Sequence, residues 1–158
     1  MTDPLLKYRE QHKHRLNYMP WLYWSLKPKH REWAEQWQAE YQAYLMEMET
    51  VEIGENCFIS PLAHIFAERG RKISIGDNTF IAADCTLHGS LQIGNEVAIN
   101  HHCILDGGRA GIKLHDQVRI AAYSHLYAFD HGMDLERPIY QQAVTSKGIE
   151  IGQDVWLG

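Results

Sequence analysis

The chain has 158 residues, 45% of them hydrophobic, and a formal charge of −5. That length supports one domain with a real core, no apolar run approaches the roughly 20 residues of a membrane span, and the N-terminus lacks the apolar segment of a secretory signal, so a cytoplasmic protein is expected. The charge is uneven, with seven Lys/Arg against two acids in residues 1–31 and eight against eighteen in residues 32–158, and so acidic a body argues against a general nucleic-acid binder.

Residues 1–50 carry helical signals. Pro28 suits the first turn of a helix. Trp33, Trp37, Tyr41, Tyr44, Leu45 and Met48 then recur at helical spacing and predict one apolar face. Upstream, Met19-Pro20-Trp21-Leu22-Tyr23-Trp24 is dense in aromatics. A second reading of the basic stretch sets Lys7, Arg9, Lys13 and Arg15 beside Trp21 and Trp24 at a membrane surface, a peripheral contact through residues 1–31. His12, His14 and His30 are expected to be solvated.

From residue 51 one phrase keeps returning: Ile53-Gly54-Glu55-Asn56-Cys57, Ile75-Gly76-Asp77-Asn78-Thr79, Ile93-Gly94-Asn95-Glu96-Val97 and Ile151-Gly152-Gln153-Asp154-Val155. Leu114-His115-Asp116-Gln117-Val118 is a fifth copy with His in place of Gly. Between the phrases an aliphatic residue recurs every six positions: Ile53, Ile59, Ile65; Ile75, Ile81, Leu87; Ile93, Ile99, Leu105; Leu114, Ile120, Leu126; Ile151, Leu157. A period of six is wrong for a helix and too long for one alternating strand. It suits a parallel β-coil in which three hexads make one triangular turn and each aliphatic side chain stacks on its equivalent in the next. Gly, Asn and Asp after the aliphatic residue are expected to ease the corners. Cys57, Cys85 and Cys103 fall in the small fifth place of the hexad. They read as small buried residues rather than as a disulfide framework or a thiolate metal site.

Interruptions of the period mark excursions: a short one at residues 67–72, another around Gly107-Gly108-Arg109, and a long one at residues 127–150. Excursions from a solenoid collect on its binding face. The open end of such a stack needs a cover, which assigns residues 1–50 as a helical cap and 51–158 as the coil. The chain stops two residues into a hexad, and a truncated form of a longer chain is expected.

Residues 51–158 resemble the bacterial hexapeptide-repeat acyltransferases, in particular the branch that acetylates sugars and surface polysaccharides. The resemblance rests most specifically on Ile99-Asn100-His101-His102-Cys103-Ile104-Leu105-Asp106-Gly107-Gly108, on Phe129-Asp130-His131 and on Asp154-Val155-Trp156-Leu157-Gly158. It implies a mainly β fold, a left-handed parallel β-helix. It also implies acetyl-coenzyme A as the acyl donor, no metal, a homotrimer with active sites between subunits, and transfer to a hydroxyl of a sugar or polysaccharide precursor. His131 matches the family's loop general base, and Asn100 its acceptor-positioning Asn. A carboxylate orients such an imidazole, and Asp106, Asp130 and Asp134 are the candidates. Tyr127, Phe129 and Tyr140 are suited to stack on a sugar, with Asp130, Asp134, Glu136 and Arg137 as its polar contacts. Trp156 and Gly158 match the start of the family's coenzyme A groove.

Two rival readings stand beside this one. γ-Class carbonic anhydrase-like zinc enzymes use the same scaffold, with two ligands five residues apart on one coil. Here His88 and His101 are the candidate ligands, with Asp106 five residues after His101. The other rival is a non-catalytic trimeric scaffold. His64, His88, His115 and His125 occupy outward or corner places and are expected at the surface.

Overall fold

A computed structural model describes residues 4–158. Two helices, α1 (Pro4–Tyr18) and α2 (Pro28–Met48), flank a 3₁₀ turn at Pro20–Ser25. The first turn of the solenoid is β1 (Val51–Ile53), β2 (Phe58–Ile59) and β3 (His64–Phe66), and the second is β4 (Ile73–Ile75), β5 (Phe80–Ile81) and β6 (Thr86–His88). The third is β7 (Leu91–Ile93), β8 (Ala98–Ile99) and β9 (Ile104–Asp106), and the fourth is β10 (Ile112–Leu114), β11 (Arg119–Ile120) and β12 (His125–Tyr127). A hairpin of β13 (Asp130–His131) and β14 (Val144–Thr145) interrupts the coil before β15 (Ile149–Ile151) and β16 (Trp156–Leu157).

The strands stack into three parallel sheets: β1-β4-β7-β10-β15, β2-β5-β8-β11-β16 and β3-β6-β9-β12. The register is the one the hexad demands. Ile53, Ile75, Ile93, Leu114 and Ile151 lie in consecutive partnership along the first sheet. Ile59, Ile81, Ile99, Ile120 and Leu157 do so along the second, and Ile65, Leu87, Leu105 and Leu126 along the third. Ile59, Ile81, Leu87, Ile99, Leu105 and Ile120 are wholly buried. The core is thus a three-sided aliphatic prism. The cysteines are free and buried within it, but their thiols do more than fill space. Cys57 donates to the carbonyl of Gly76 (3.0 Å), Cys85 to that of Asn100 (3.0 Å) and Cys103 to that of Ala121 (3.1 Å), each in the following coil. Thr79 makes the same rung to Gly94 with its hydroxyl, at 3.0 Å.

The corners divide their work differently from the expectation. The left-handed backbone falls on the third residue after the aliphatic, at Asn56, Asn78, Glu96, Gln117 and Asp154 in one column and at Asp84, His102 and Tyr123 in another. Gly54, Gly76 and Gly94 serve close approach instead. A Cβ on Gly94 would sit 2.8 Å from the backbone carbon of His115 and 2.9 Å from the amide nitrogen of Asp116. Both are main-chain atoms of the next coil and have no side-chain freedom to give way. Gly94→Ala is therefore expected to destabilise by about 1–3 kcal/mol through overpacking. A urea unfolding curve measures the loss.

The helical region covers one end and one flank of the prism. Ala34, Gln38 and Leu45 are the buried residues of α2, with Trp33, Trp37 and Tyr41 half-buried beside them, while Tyr44 and Met48 turn outward. The buried stripe is thus rotated from the predicted one, because its centre is set by contact with β1 and β2. Leu45 joins the solenoid core, and Tyr41 packs against it. Leu16, Tyr23 and Ala34 form a second cluster with Phe58, Phe80 and Ala98, the outward residues of β2, β5 and β8. Along that outer column the sequence is apolar where helices cover it and becomes Arg119 and Trp156 beyond them. Trp24 belongs to this packing: its indole N–H donates to the Asn56 carbonyl (3.2 Å) and its ring faces Phe80. Lys13 pairs with Glu10 and lies over Trp37, and Arg9 lies over Trp33. Of the aromatic pair proposed for a membrane surface, Trp21 is the exposed one. Among the described residues, no helix is long and apolar enough to cross a membrane.

Candidate active site

The long excursion leaves the end of β12, and its base and tip are both held. His131 pairs with Val144 and Asp130 with Thr145 across an antiparallel hairpin. At the base, the Ser146 hydroxyl donates to the Ala128 carbonyl (2.5 Å) and accepts from the Ala110 amide (2.9 Å). At the tip, buried Gln142 donates to the carbonyls of Asp134 (2.9 Å) and Arg137 (2.8 Å) and accepts from the Asp134 amide (2.8 Å). A primary amide with two donors and one acceptor is suited to knit such a turn. Neither Gln142 nor Ser146 stands out in the sequence. Their types are common in loops, and their partners lie outside any period.

The hairpin presents His131 to solvent, with its ring edge-on to Phe129 at 6.4 Å. Asp130 is exposed on the same strand. Asp134 accepts from the Glu136 amide (3.0 Å) and forms an ion pair with Arg137 at 3.6 Å, so the two proposed sugar contacts are joined to each other. Tyr140 is largely exposed. Asn100 lies at a different corner of the prism, between β8 and β9, where its Nδ2 donates to the Ile120 carbonyl at 2.8 Å. Trp156 is 74% exposed on β16, in register with Arg119, and a Cβ placed on Gly158 would meet its ring at 3.1 Å.

Asp106 has a partner that pattern reading missed. Its Oδ2 lies 3.3 Å from Nδ1 of His88, its Oδ1 accepts from the Gly108 amide at 3.0 Å, and Nε2 of His88 lies 3.1 Å from Glu68. The signal was present in the register. Phe66, His88, Asp106 and Tyr127 each follow a core aliphatic by one place and so share one outward column of the third sheet. His88 and Asp106 border two adjoining grooves. One, of about 600 Å³, runs past Phe66 and Tyr127. The other, of about 620 Å³, runs past Arg109, Phe129 and Val144 at the foot of the hairpin. Asp106 thus shares a groove with β14, the strand paired with that of His131, while its hydrogen bond goes to His88.

Burial lowers the proton affinity of His88, but the carboxylates of Glu68 and Asp106 outweigh it and the net shift is upward. A pKa raised in the folded state adds stability that is complete below the unfolded value of about 6.5 and is lost as pH rises through the folded value. The difference in thermal midpoint between the native chain and His88→Gln is therefore expected to be largest near pH 5 and to shrink above neutrality. A gap that is constant with pH would show that the imidazole's charge contributes nothing.

The carbonic-anhydrase-like triad does not assemble within this chain. His101 Nδ1 lies 3.0 Å from Nδ1 of His102, whereas Asp106 is engaged with His88. Among the described residues, no group of three or more His, Cys, Asp or Glu side chains is placed to share a metal ion.

A three-sheet parallel solenoid on a six-residue repeat, broken by a long histidine-bearing hairpin, is the architecture of a hexapeptide-repeat protein. No family model matches the chain. It is 33% identical over 92 residues to a probable acetyltransferase of Mycobacterium tuberculosis, covering 58% of this chain and 29% of that protein. It is 36% identical over 55 residues to the dTDP-4-amino-4,6-dideoxy-D-glucose acyltransferase of Escherichia coli, covering 34% of this chain and 29% of the relative. Among solved structures it resembles AntD, an N-acyltransferase from Bacillus cereus in complex with dTDP and coenzyme A. The TM-score is 0.61 at 26% identity, covering 73% of this chain and 63% of AntD. A second AntD variant structure with the same ligands gives 0.58 at 29% identity, covering 69% and 61%. The chain therefore spans less than a third of either curated relative.

Proposed function

We propose that the chain serves a coenzyme A-dependent acyltransferase that moves an acetyl or similar acyl group to a hydroxyl of a sugar or polysaccharide precursor. The observation that carries this reading is the imidazole of His131 on a hairpin pinned at both ends, on a scaffold similar to enzymes of that class. A hydroxyl that attacks a thioester must lose its proton as the new C–O bond forms. An imidazole takes that proton and returns it to the departing thiolate as the tetrahedral adduct collapses, so no net proton is consumed. Asp130 or Asp134 on the same hairpin, or Asp106 at its foot, would orient the ring. Exposed Trp156 beside Arg119 offers an aromatic face and a cation to the acyl donor.

Asn100 and His131 occupy different corners of one prism, so a single site that uses both needs two copies of the chain. This supports sites between subunits, and a homotrimer is the assembly proposed. A second reading, acyl transfer to an amine, is favoured by the names of the relatives, two of which act on amino groups or amino sugars. Thiol release from acetyl-coenzyme A by the full-length protein, screened across sugar hydroxyl and amino-sugar acceptors, decides between them. Release with hydroxyl acceptors supports the proposal, and release with amines alone transfers it to nitrogen. Release with neither, by folded protein, favours a scaffold.

A further inference from the structure

The basic N-terminal stretch does not dissolve into surface decoration. Between α1 and the start of α2 lies a hollow of about 350 Å³. Exposed Arg15, Lys27 and Lys29 stand around it with the imidazoles of His12 and His30. Leu16, 1% exposed, forms its apolar floor with the half-buried Leu22 and Leu26. The neighbouring cations Lys13 and Arg31 are paired with Glu10 and Glu35. Among the described residues no carboxylate lies within 4 Å of Arg15, Lys27 or Lys29.

The two histidines are not solvated in the expected way. Their rings lie 4.5 Å apart, and both neighbour Trp33. Nδ1 of His30 accepts from the Trp33 indole at 3.4 Å, which leaves Nε2 as its N–H donor. Nδ1 of His12 is buried and has no hydrogen-bond partner. Loss of solvent lowers the proton affinity of His30, and the fields of His12, Lys29 and Lys27 lower it further. Like charges gathered this closely, with no acid among them, repel one another. An anion seated between them would turn that repulsion into attraction. A phosphate group suits the arrangement, because its oxygens accept charge-assisted hydrogen bonds from several directions at once. The leucine floor suits the organic part of an ester.

We propose that this hollow binds the phosphate group of a phosphate ester, with Arg15, Lys27, Lys29 and His30 as its donors. The source is either a soluble ester or an anionic lipid headgroup. The site lies away from the hairpin and does not depend on the acyl-transfer reading.

The test titrates the protein with inorganic phosphate and pyrophosphate, at constant ionic strength, while the imidazole resonances of His12 and His30 are followed. A parallel arm measures sedimentation with phosphatidylglycerol and with phosphatidylcholine vesicles. The expected result is saturable movement of both imidazoles and a rise in the His30 pKa. The triple variant R15Q/K27Q/K29Q should bind at least about tenfold more weakly, and Lys147→Gln should bind unchanged. Response to the inorganic anions assigns a soluble ester. Response to phosphatidylglycerol alone, lost in the triple variant, assigns a lipid headgroup. No saturable movement together with no preference for phosphatidylglycerol overturns the proposal, as does equal binding by the triple variant. Should that variant fail to fold, the His30 titration of the native chain in phosphate against chloride decides, and an unmoved pKa overturns it.

Discussion

Replacing His131 with Ala is expected to cut the rate of acyl transfer by the full-length protein by about 10²–10⁴-fold, the usual contribution of a positioned general base. The loss should fall on kcat more than on the KM for the acyl donor, because the imidazole acts on the acceptor's proton as the bond forms. It should not fall on folding. The ring is exposed, and the hairpin around it is held by Gln142 and Ser146, so the thermal midpoint should change by no more than an ordinary surface substitution allows, about 0.5 kcal/mol. Comparing Asp106→Asn, Asp130→Asn and Asp134→Asn then asks which carboxylate works with the imidazole. That variant alone should lose rate without further loss in the background of His131→Ala. Acyl transfer left intact in His131→Ala would end the mechanism while leaving the solenoid untouched.

The largest expected effect on stability belongs to Gln38→Ala. Gln38 lies on α2 at 2% exposure. Its Nε2 donates to the Ile59 carbonyl at 3.1 Å, and its Oε1 accepts from the Ile59 amide at 2.8 Å. One side-chain amide thus pairs both main-chain groups of the first strand in the second sheet, as a further strand would. Gln42 continues the edge by donating to the Cys57 carbonyl at 2.9 Å and to Oε1 of Gln38 at 3.0 Å. Removal of Gln38 leaves a buried N–H and a buried C=O without partners, each at about 1–3 kcal/mol, so the total expected is about 2–6 kcal/mol. Gln38→Glu should also destabilise, because a carboxylate accepts from Ile59 N–H but cannot donate to its carbonyl. Gln36, on the exposed side of the same helix, provides the control and should change little on replacement by Ala. Urea unfolding of the three variants measures the effect. A Gln38→Ala protein as stable as the native chain would show that water or a shifted α2 fills the edge.

The fold was legible because its signal is periodic. Each hexad is a local pattern, and stacking repeats it by translation, so Ile75, Ile93 and Leu114 come into register without any knowledge of distant parts of the chain. The same regularity placed all three cysteines in the core. It also exposed residues 127–150 as the departure from period in which the candidate base lies. The pairing of His88 with Asp106 was legible in principle, since both follow a core aliphatic by one place. It went unread because outward positions carry no hydrophobic signal to draw attention to them.

By itself, then, the chain's order of residues determined the prism, its aliphatic core and the excursion that bears His131. Only tertiary structure decided that α2 turns Gln38 rather than Tyr44 and Met48 inward, that Asp106 bonds to His88, that Gln142 closes the hairpin tip, and that cations with no carboxylate partner among the described residues ring a hollow between α1 and α2. The difference is physical. Apolar side chains are committed by water to one kind of place, so their spacing alone reports the coil. A polar side chain has many possible partners, and which one it meets depends on how far each excursion and each helix carries the backbone before it returns.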